Sequence, residues 1–176
     1  MTQPDGITPD AKDWTWVLER PCPECGFLAA TMDPLAVGAA VRASLSRWQH
    51  ALDRPDVRQR PEPGTWSPLE YTAHIHDVFV LFHHRLALML NQDDPVFEDW
   101  NQDAAAIEGR YAELDPADLA ERITTAGERI ALGFDALTTD QLNRSGRRSD
   151  GVAFTVAGLG KYLLHEVVHH LHDIEA

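Results

Sequence analysis

Residues 66–91 read WSPLEYTAHIHDVFVLFHHRLALMLN, and this stretch decides the fold. Ser67 precedes Pro68 and stands three residues before Glu70, which is the pattern of a capping box with proline at the first helical position. Apolar residues then recur at helical spacing as far as Asn91. The stretch therefore predicts one long helix from Pro68 to about Asn91.

The same kinds of signal predict three more long helices. A helix begins at Asp33-Pro34 and runs to Arg54, a second begins at Asp115-Pro116 and continues through Leu137, and a last one is capped by Thr155 and reaches about Ile174. A short helix is expected from Asp103. Four helices of this length, joined by loops of moderate size, predict an all-α four-helix bundle.

Two segments outside the helices have their own character. Residues 14–18 are aromatic and β-branched, which predicts a strand or a short N-terminal extended arm. Residues 138–153 are polar and predict a loop. Residues 1–13 are polar and contain proline and glycine, so we expect a flexible N-terminus followed by a single domain over 14–176.

Composition limits the classes of function. The 176 residues carry 28 acidic and 15 basic side chains, a formal charge of −13, so nucleic acids and anionic membranes would be repelled over most of the surface. No uninterrupted apolar window of about 18 residues and no signal peptide is visible. We expect a cytoplasmic protein that acts on a small molecule.

Histidines on the last predicted helix indicate a metal site. His165 and His169 are four residues apart, so their imidazoles lie one turn apart on one face and can bind one divalent ion. His74 on the long helix is the candidate third ligand. Three histidines leave coordination positions open, as in catalytic sites, whereas a fourth ligand from His76 or His172 would indicate a closed structural site.

Carboxylates beside these histidines have two interpretations. Glu166 completes a His-Glu-x-x-His pattern, in which glutamate is the general base of zinc peptidases. Only seven residues follow His169, so the usual downstream third ligand is missing and a peptidase is disfavoured. Glu166 or Asp173 could instead orient a ligand histidine through its second ring nitrogen.

Cys22 and Cys25 form a Cys-x-x-Cys-Gly turn that has three interpretations. The pair could bind a metal together with two histidines, act as a redox pair, or keep inert thiols in a tight turn. The chain has two cysteines, so a four-cysteine zinc site within one subunit is excluded. A basic group formed by Arg144, Arg147 and Arg148 could receive the carboxylates of an acidic thiol or substrate.

Two motifs together resemble a known family. Trp66-Ser67-Pro68-Leu69-Glu70 followed by Ala73-His74, and the later His165-x-x-x-His169-His170, are similar to the DinB-like superfamily over residues 34–174. This superfamily includes mycothiol-dependent maleylpyruvate isomerases and bacillithiol transferases. The resemblance implies a four-helix bundle of down-up-up-down topology with a divalent ion held, by position, by His74, His165 and His169.

The resemblance also implies an activity. It suggests a divalent-metal-dependent enzyme, using zinc, nickel, iron or manganese, that acts as a thiol-dependent S-transferase or isomerase with a low-molecular-weight thiol as cosubstrate. A metal-dependent hydrolase and a non-catalytic metal-binding bundle are the alternatives, since both need the same ligands. An exposed apolar helix face would allow a homodimer.

Overall fold

The predicted capping box begins the longest helix of the chain. The computed structural model describes residues 14–176, and in it helix α2 spans Pro68–Asn91. The Ser67 hydroxyl accepts a hydrogen bond from the Glu70 amide, and the Glu70 carboxylate accepts one from the Ser67 amide. The predicted flexible residues 1–13 lie outside the described part of the chain.

The other predicted helices form close to their expected bounds. The elements are α1 (Val37–Leu52), α3 (Gln102–Glu108), α4 (Pro116–Asp135) and α5 (Val156–Asp173). Helix α4 packs against α1 and α2, and α5 packs against the same two helices. The predicted all-α four-helix bundle is confirmed, with α3 as a short addition outside it.

The bundle core consists of large apolar side chains from all four long helices. Its fully buried members include Trp48, Phe79, Ile123, Phe134 and Leu163. A smaller cluster of Leu52, Trp66, Leu69, Tyr111 and Leu119 surrounds the first turn of α2. Leu69, in the first turn of α2, is thus packed into this cluster, which helps to hold the turn in place.

A three-stranded sheet replaces part of the predicted polar loop. Strand β1 (Val96–Phe97) pairs in parallel with β2 (Ser145–Arg148), which pairs antiparallel with β3 (Ala153–Thr155). Gly146 lies against Met89 and Phe97, and a side chain there would overlap Met89. Because the strands are short and the stabilising contacts come from residues distant in sequence, local patterns did not predict them.

The N-terminal segment differs from its prediction as an extended arm. Trp14–Leu18 is a 3-10 helix, and its Trp16 carbonyl accepts hydrogen bonds from the amides of Glu19 and Arg20. Val17 is fully buried against the bundle. The tight turn lets Val17 enter the core while Trp14 packs on histidines of α5.

Within residues 14–176, none of the helices combines the length and the apolar character needed to cross a membrane.

Candidate metal centre

The start of α2 fixes the position of His74. Its imidazole lies seven residues after the Ser67 cap, is 0% exposed, and contacts the ring of Trp66 at 5.2 Å between centroids. The ring of Trp100 also stacks on the His74 imidazole, with 5.4 Å between the ring centroids and 17° between the ring planes. His74 is therefore held rigidly in the bundle interior.

Helix α5 presents two pairs of metal-ligating side chains, each four residues apart. One pair is His165 and His169, and the other is Glu166 and His170. The pairs are offset by one residue, which turns them about 100° around the helix axis. Each pair therefore meets a different part of the protein.

The pair Glu166 and His170 meets His74. The ligating atoms of these three residues, here called the inner cluster, lie within 4.8 Å of one another. Oε2 of Glu166 is 3.7 Å from Nε2 of His74 and 3.5 Å from Nε2 of His170. Ligands of one tetrahedral ion at about 2.0–2.2 Å are about 3.4 Å apart, so these separations fit a shared ion.

Asp173 orients one member of the inner cluster. The Nδ1–H group of His170 donates a hydrogen bond of 2.8 Å to Oδ2 of Asp173, which leaves Nε2 directed at Glu166. A carboxylate bound to the second nitrogen of a ligand histidine is a common support of metal sites. Asp173 was predicted to orient one of the ligand histidines, and the residue it hydrogen-bonds is His170, which was not among the predicted ligands.

The charges of the inner cluster favour a cation between the carboxylates. Burial lowers the pKa of His170, but Asp173 and Glu166 outweigh burial and raise it to about 9. Burial raises the pKa of Glu166, but the nearby imidazoles of His170 and His74 hold it well below its ordinary value. Without a metal, a protonated His170 supplies the positive charge that these carboxylates require.

His74 provides the test of whether a metal fits. Neither of its ring nitrogens makes a hydrogen bond, although the side chain is fully buried. Burial lowers the pKa of His74, which keeps its imidazole neutral and able to bind a metal. Buried polar atoms almost always have a partner, and an ion bound between Nε2 and Glu166 would provide one.

The pair His165 and His169 meets the cysteine turn instead. Their ligating atoms lie with those of Cys22 and Cys25 within 4.8 Å of one another; we call this group the cysteine cluster. Sγ of Cys22 is 3.7 Å from Nδ1 of His169. Burial raises the pKa of Cys25 to about 11, and burial lowers the pKa of His165 to about 4.

A cavity of about 380 Å³ opens beside both clusters. Its wall includes Glu166 and His170 of the inner cluster, Trp100, and a buried arginine, Arg85. Arg85 is 4% exposed, donates one hydrogen bond to the Glu98 carbonyl at 3.0 Å, and has an Nε group without a hydrogen-bond partner. Burial lowers its pKa to about 10, so the guanidinium stays charged at neutral pH.

The predicted metal triad is divided between these clusters. His74 lies with Glu166 and His170, whereas His165 and His169 lie with the cysteines. Sequence reasoning assigned Glu166 a supporting or general-base role and did not propose His170 as a ligand. The His170-Asp173 spacing, a helical i,i+3 pair, was the available signal for it.

The other predicted residues have separate environments. Nδ1 of His76 lies 2.8 Å from Oδ1 of Asp77, and His172 is exposed, so neither joins a cluster in the described chain. Arg144 binds the carbonyls of Met89 and Gln92, away from the cavity.

The remaining arginines of the predicted basic group also have acidic partners. Arg147 pairs with Asp94, and Arg148 lines the cavity while pairing with Asp150. The buried arginine beside the inner cluster is Arg85, which no sequence pattern indicated.

The fold and the site together define a class: a four-helix bundle with a partly buried cluster of two histidines and a carboxylate at the wall of a small cavity. The family model of the DinB superfamily matches residues 39–174, and the chain belongs to this superfamily. No curated protein matches the chain.

A solved structure has the same fold. The chain is similar to YfiT from Bacillus subtilis, whose description is a probable metal-dependent hydrolase with an unusual four-helix bundle topology. The TM-score is 0.70, the identity is 19%, and the likeness covers 79% of this chain and 82% of YfiT. The likeness supports the bundle architecture described above.

Proposed function

We propose that this protein is a divalent-metal-dependent enzyme whose ion is held by His74, Glu166 and His170. The observation that carries the proposal is the fully buried His74, whose two ring nitrogens lack hydrogen bonds while Nε2 faces Glu166. Three protein ligands would leave coordination positions for a substrate. A divalent ion bound there would lower the pKa of a thiol or water ligand toward neutrality.

The surrounding residues suggest how a substrate would be bound. Arg85 lines the same cavity as Glu166 and His170 and is the buried cation of its wall. A guanidinium with an unused N–H group binds carboxylates strongly, because charge-assisted hydrogen bonds gain strength away from water. We therefore propose a small substrate that carries an anionic group, oriented by Arg85 with its reactive end toward the inner cluster.

We propose a thiol-dependent S-transferase or isomerase as the reaction class. Trp100 and Tyr162 form cavity walls that would limit water around a bound thiol. Asp173 would retain the proton on Nδ1 of His170, so that Nε2 remains a ligand throughout the reaction. Membership in the DinB superfamily supports this class, and the thiol would be a soluble low-molecular-weight cosubstrate.

A metal-dependent hydrolase is the second candidate, and the similarity to YfiT favours it. The same three residues would serve a hydrolase, because an open metal position accepts water as readily as a thiol. Thiol dependence separates the two reactions. Turnover of a small anionic electrophile that requires added thiol would support the transferase, and hydrolysis without thiol would support the second candidate.

The test of the metal-dependent enzyme compares variants of one helix. Protein loaded in turn with zinc, nickel, iron or manganese is assayed against anionic electrophiles and esters, with and without thiol. We expect His74→Ala to lose about 100-fold or more in turnover, because a catalytic ion supplies several kcal/mol of transition-state stabilisation. His84→Ala, an exposed histidine of the same helix, is the matched control. Equal turnover in both variants would contradict the proposal.

A further inference from the structure

A turn near the N-terminus brings two thiols against the last helix. Cys22 and Cys25 lie more than 130 residues before His165 and His169, yet their four ligating atoms form one group. The turn is closed by hydrogen bonds from the Gly26 amide to the Cys22 carbonyl and from the Cys22 amide to the Phe27 carbonyl, both 2.9 Å. Gly26 adopts a φ of +74°, which glycine accepts without strain.

The distance between Cys22 and His169 fits a shared ion. Sγ of Cys22 lies 3.7 Å from Nδ1 of His169, too far for a strong hydrogen bond. In a tetrahedral zinc site with Zn–S about 2.3 Å and Zn–N about 2.0–2.1 Å, sulfur and nitrogen ligands are about 3.6 Å apart. The separation of Cys22 and His169 therefore fits two ligands of one zinc ion.

His165 supplies an independent observation. It is 1% exposed, neither ring nitrogen makes a hydrogen bond, and the nearest carboxylate oxygen, Oε1 of Glu166, is 4.0 Å from Nδ1. The rings of Trp14 and Phe27 pack on it at 5.5 and 5.6 Å between centroids, which keeps water away. A buried imidazole of this kind needs a partner, and an ion in the cysteine cluster would be one.

His169 is already oriented as a ligand of such an ion. Its Nδ1 faces Cys22, while its Nε2 lies 3.6 Å from Oε2 of Glu24 and 3.8 Å from Oδ1 of Asp173. Carboxylates near the second nitrogen favour the tautomer that leaves Nδ1 free to bind. Asp173 thus lies between His169 of this cluster and His170 of the inner cluster.

We propose that Cys22, Cys25, His165 and His169 form a second metal site, a closed tetrahedral zinc site distinct from the inner cluster. Two thiolates and two imidazoles favour zinc over magnesium, calcium or manganese, which prefer oxygen ligands. Four protein ligands leave no position for a substrate, so this ion is structural. It fastens the segment from Trp14 to Thr31 onto α5 and thereby fixes the cavity wall formed by Trp14, His165 and His169.

The test counts ions and identifies sulfur ligands in the full chain. Protein purified under reducing conditions, loaded with zinc and dialysed, should hold two ions per chain by elemental analysis. Cys22→Ser and His74→Ala should each hold one, and the exposed His84→Ala should hold two. Equal zinc in Cys22→Ser and the unaltered protein would overturn the second site, whereas equal zinc in His74→Ala would affect only the inner cluster.

Cobalt substitution of the unaltered protein tests the second site without depending on how well a variant folds. Unaltered protein loaded with cobalt should show a thiolate-to-cobalt charge-transfer band in the near ultraviolet, and His74→Ala should keep the band. Both thiols should react with a disulfide reagent only after a chelator removes the metal. Absence of the band, free reaction of the thiols in zinc-loaded protein, or a Cys22–Cys25 disulfide in the reduced preparation would each overturn the proposal.

Discussion

Replacement of Glu70 by alanine should destabilise the protein and loosen the helix turn that carries His74. Glu70 is 3% exposed. Its carboxylate accepts hydrogen bonds from the Ser67 amide at 2.9 Å and from the Ser67 hydroxyl at 2.8 Å. It also accepts one hydrogen bond from Nε of Arg60 at 3.0 Å and another from Nη2 of the same guanidinium. Alanine removes all four acceptor contacts at once.

The expected loss follows from these contacts. Loss of one partner of a buried ion pair costs about 3–5 kcal/mol, and loss of a helix cap about 1 kcal/mol. The Arg60 side chain is 23% exposed and can recover part of its hydration. We therefore expect Glu70→Ala to lower the free energy of unfolding by about 2–4 kcal/mol.

Urea unfolding followed by circular dichroism measures this change, with the midpoint shifted at a constant slope. Glu113→Ala is the control, since it removes an exposed ion pair with Arg110 and should leave stability nearly unchanged. Zinc binding should also weaken in Glu70→Ala. A loss below about 1 kcal/mol, with unaltered zinc binding, would refute the reasoning from the capping box.

The contribution of Glu70 should depend on pH. Burial raises its pKa, but hydrogen bonds from Arg60 and Ser67 outweigh burial and hold the pKa below the ordinary value of 4.5. A carboxyl with a depressed pKa stabilises the folded state above its unfolded pKa and loses that effect as pH falls. The stability difference from Glu70→Gln should therefore be full above about pH 4.5 and shrink below it.

Three further changes test other parts of the account. Asp173→Asn should weaken metal binding at the inner cluster about 10–100-fold, because it removes the carboxylate that orients His170. Competition with a chelator measures the affinity, and an unchanged affinity would count against the orienting role. Gly38→Ala should lower the free energy of unfolding by about 1–3 kcal/mol, since the new Cβ would lie 2.6 Å from the Ala131 carbonyl oxygen. Thermal unfolding measures the change, and an unchanged midpoint would contradict the close packing of α1 on α4. Arg85→Met should weaken the binding of a small dicarboxylate about 10-fold or more and leave the binding of its neutral amide unchanged. Calorimetry measures both affinities, and equal losses for the two ligands would indicate a structural role for Arg85.

Much of the bundle was predictable because its signals are local. Ser67 and Glu70 cap α2, Asp115 caps α4 and Thr155 caps α5, each through contacts within three residues. Such contacts form whenever the local sequence is helical, whatever surrounds it. The sheet depends on β1 meeting β2 about fifty residues later, which local patterns do not indicate.

The metal-ligating residues were harder to divide into sites. His165 with His169 and Glu166 with His170 are equally good helical pairs, and they differ by a rotation of about 100°. Only the packing of α5 decides which pair faces His74 and which faces the cysteine turn. Arg85 gave no sequence signal, because a lone arginine within a helix is most often exposed.

The most direct measurement of the central claim is an anomalous-difference map from crystals of the zinc-loaded protein. We predict a zinc peak about 2.0–2.2 Å from ring nitrogens of His74 and His170 and from a carboxylate oxygen of Glu166. A peak coordinated by His74 together with His165 and His169, or no peak near His74 after loading, would contradict the assignment of the inner cluster.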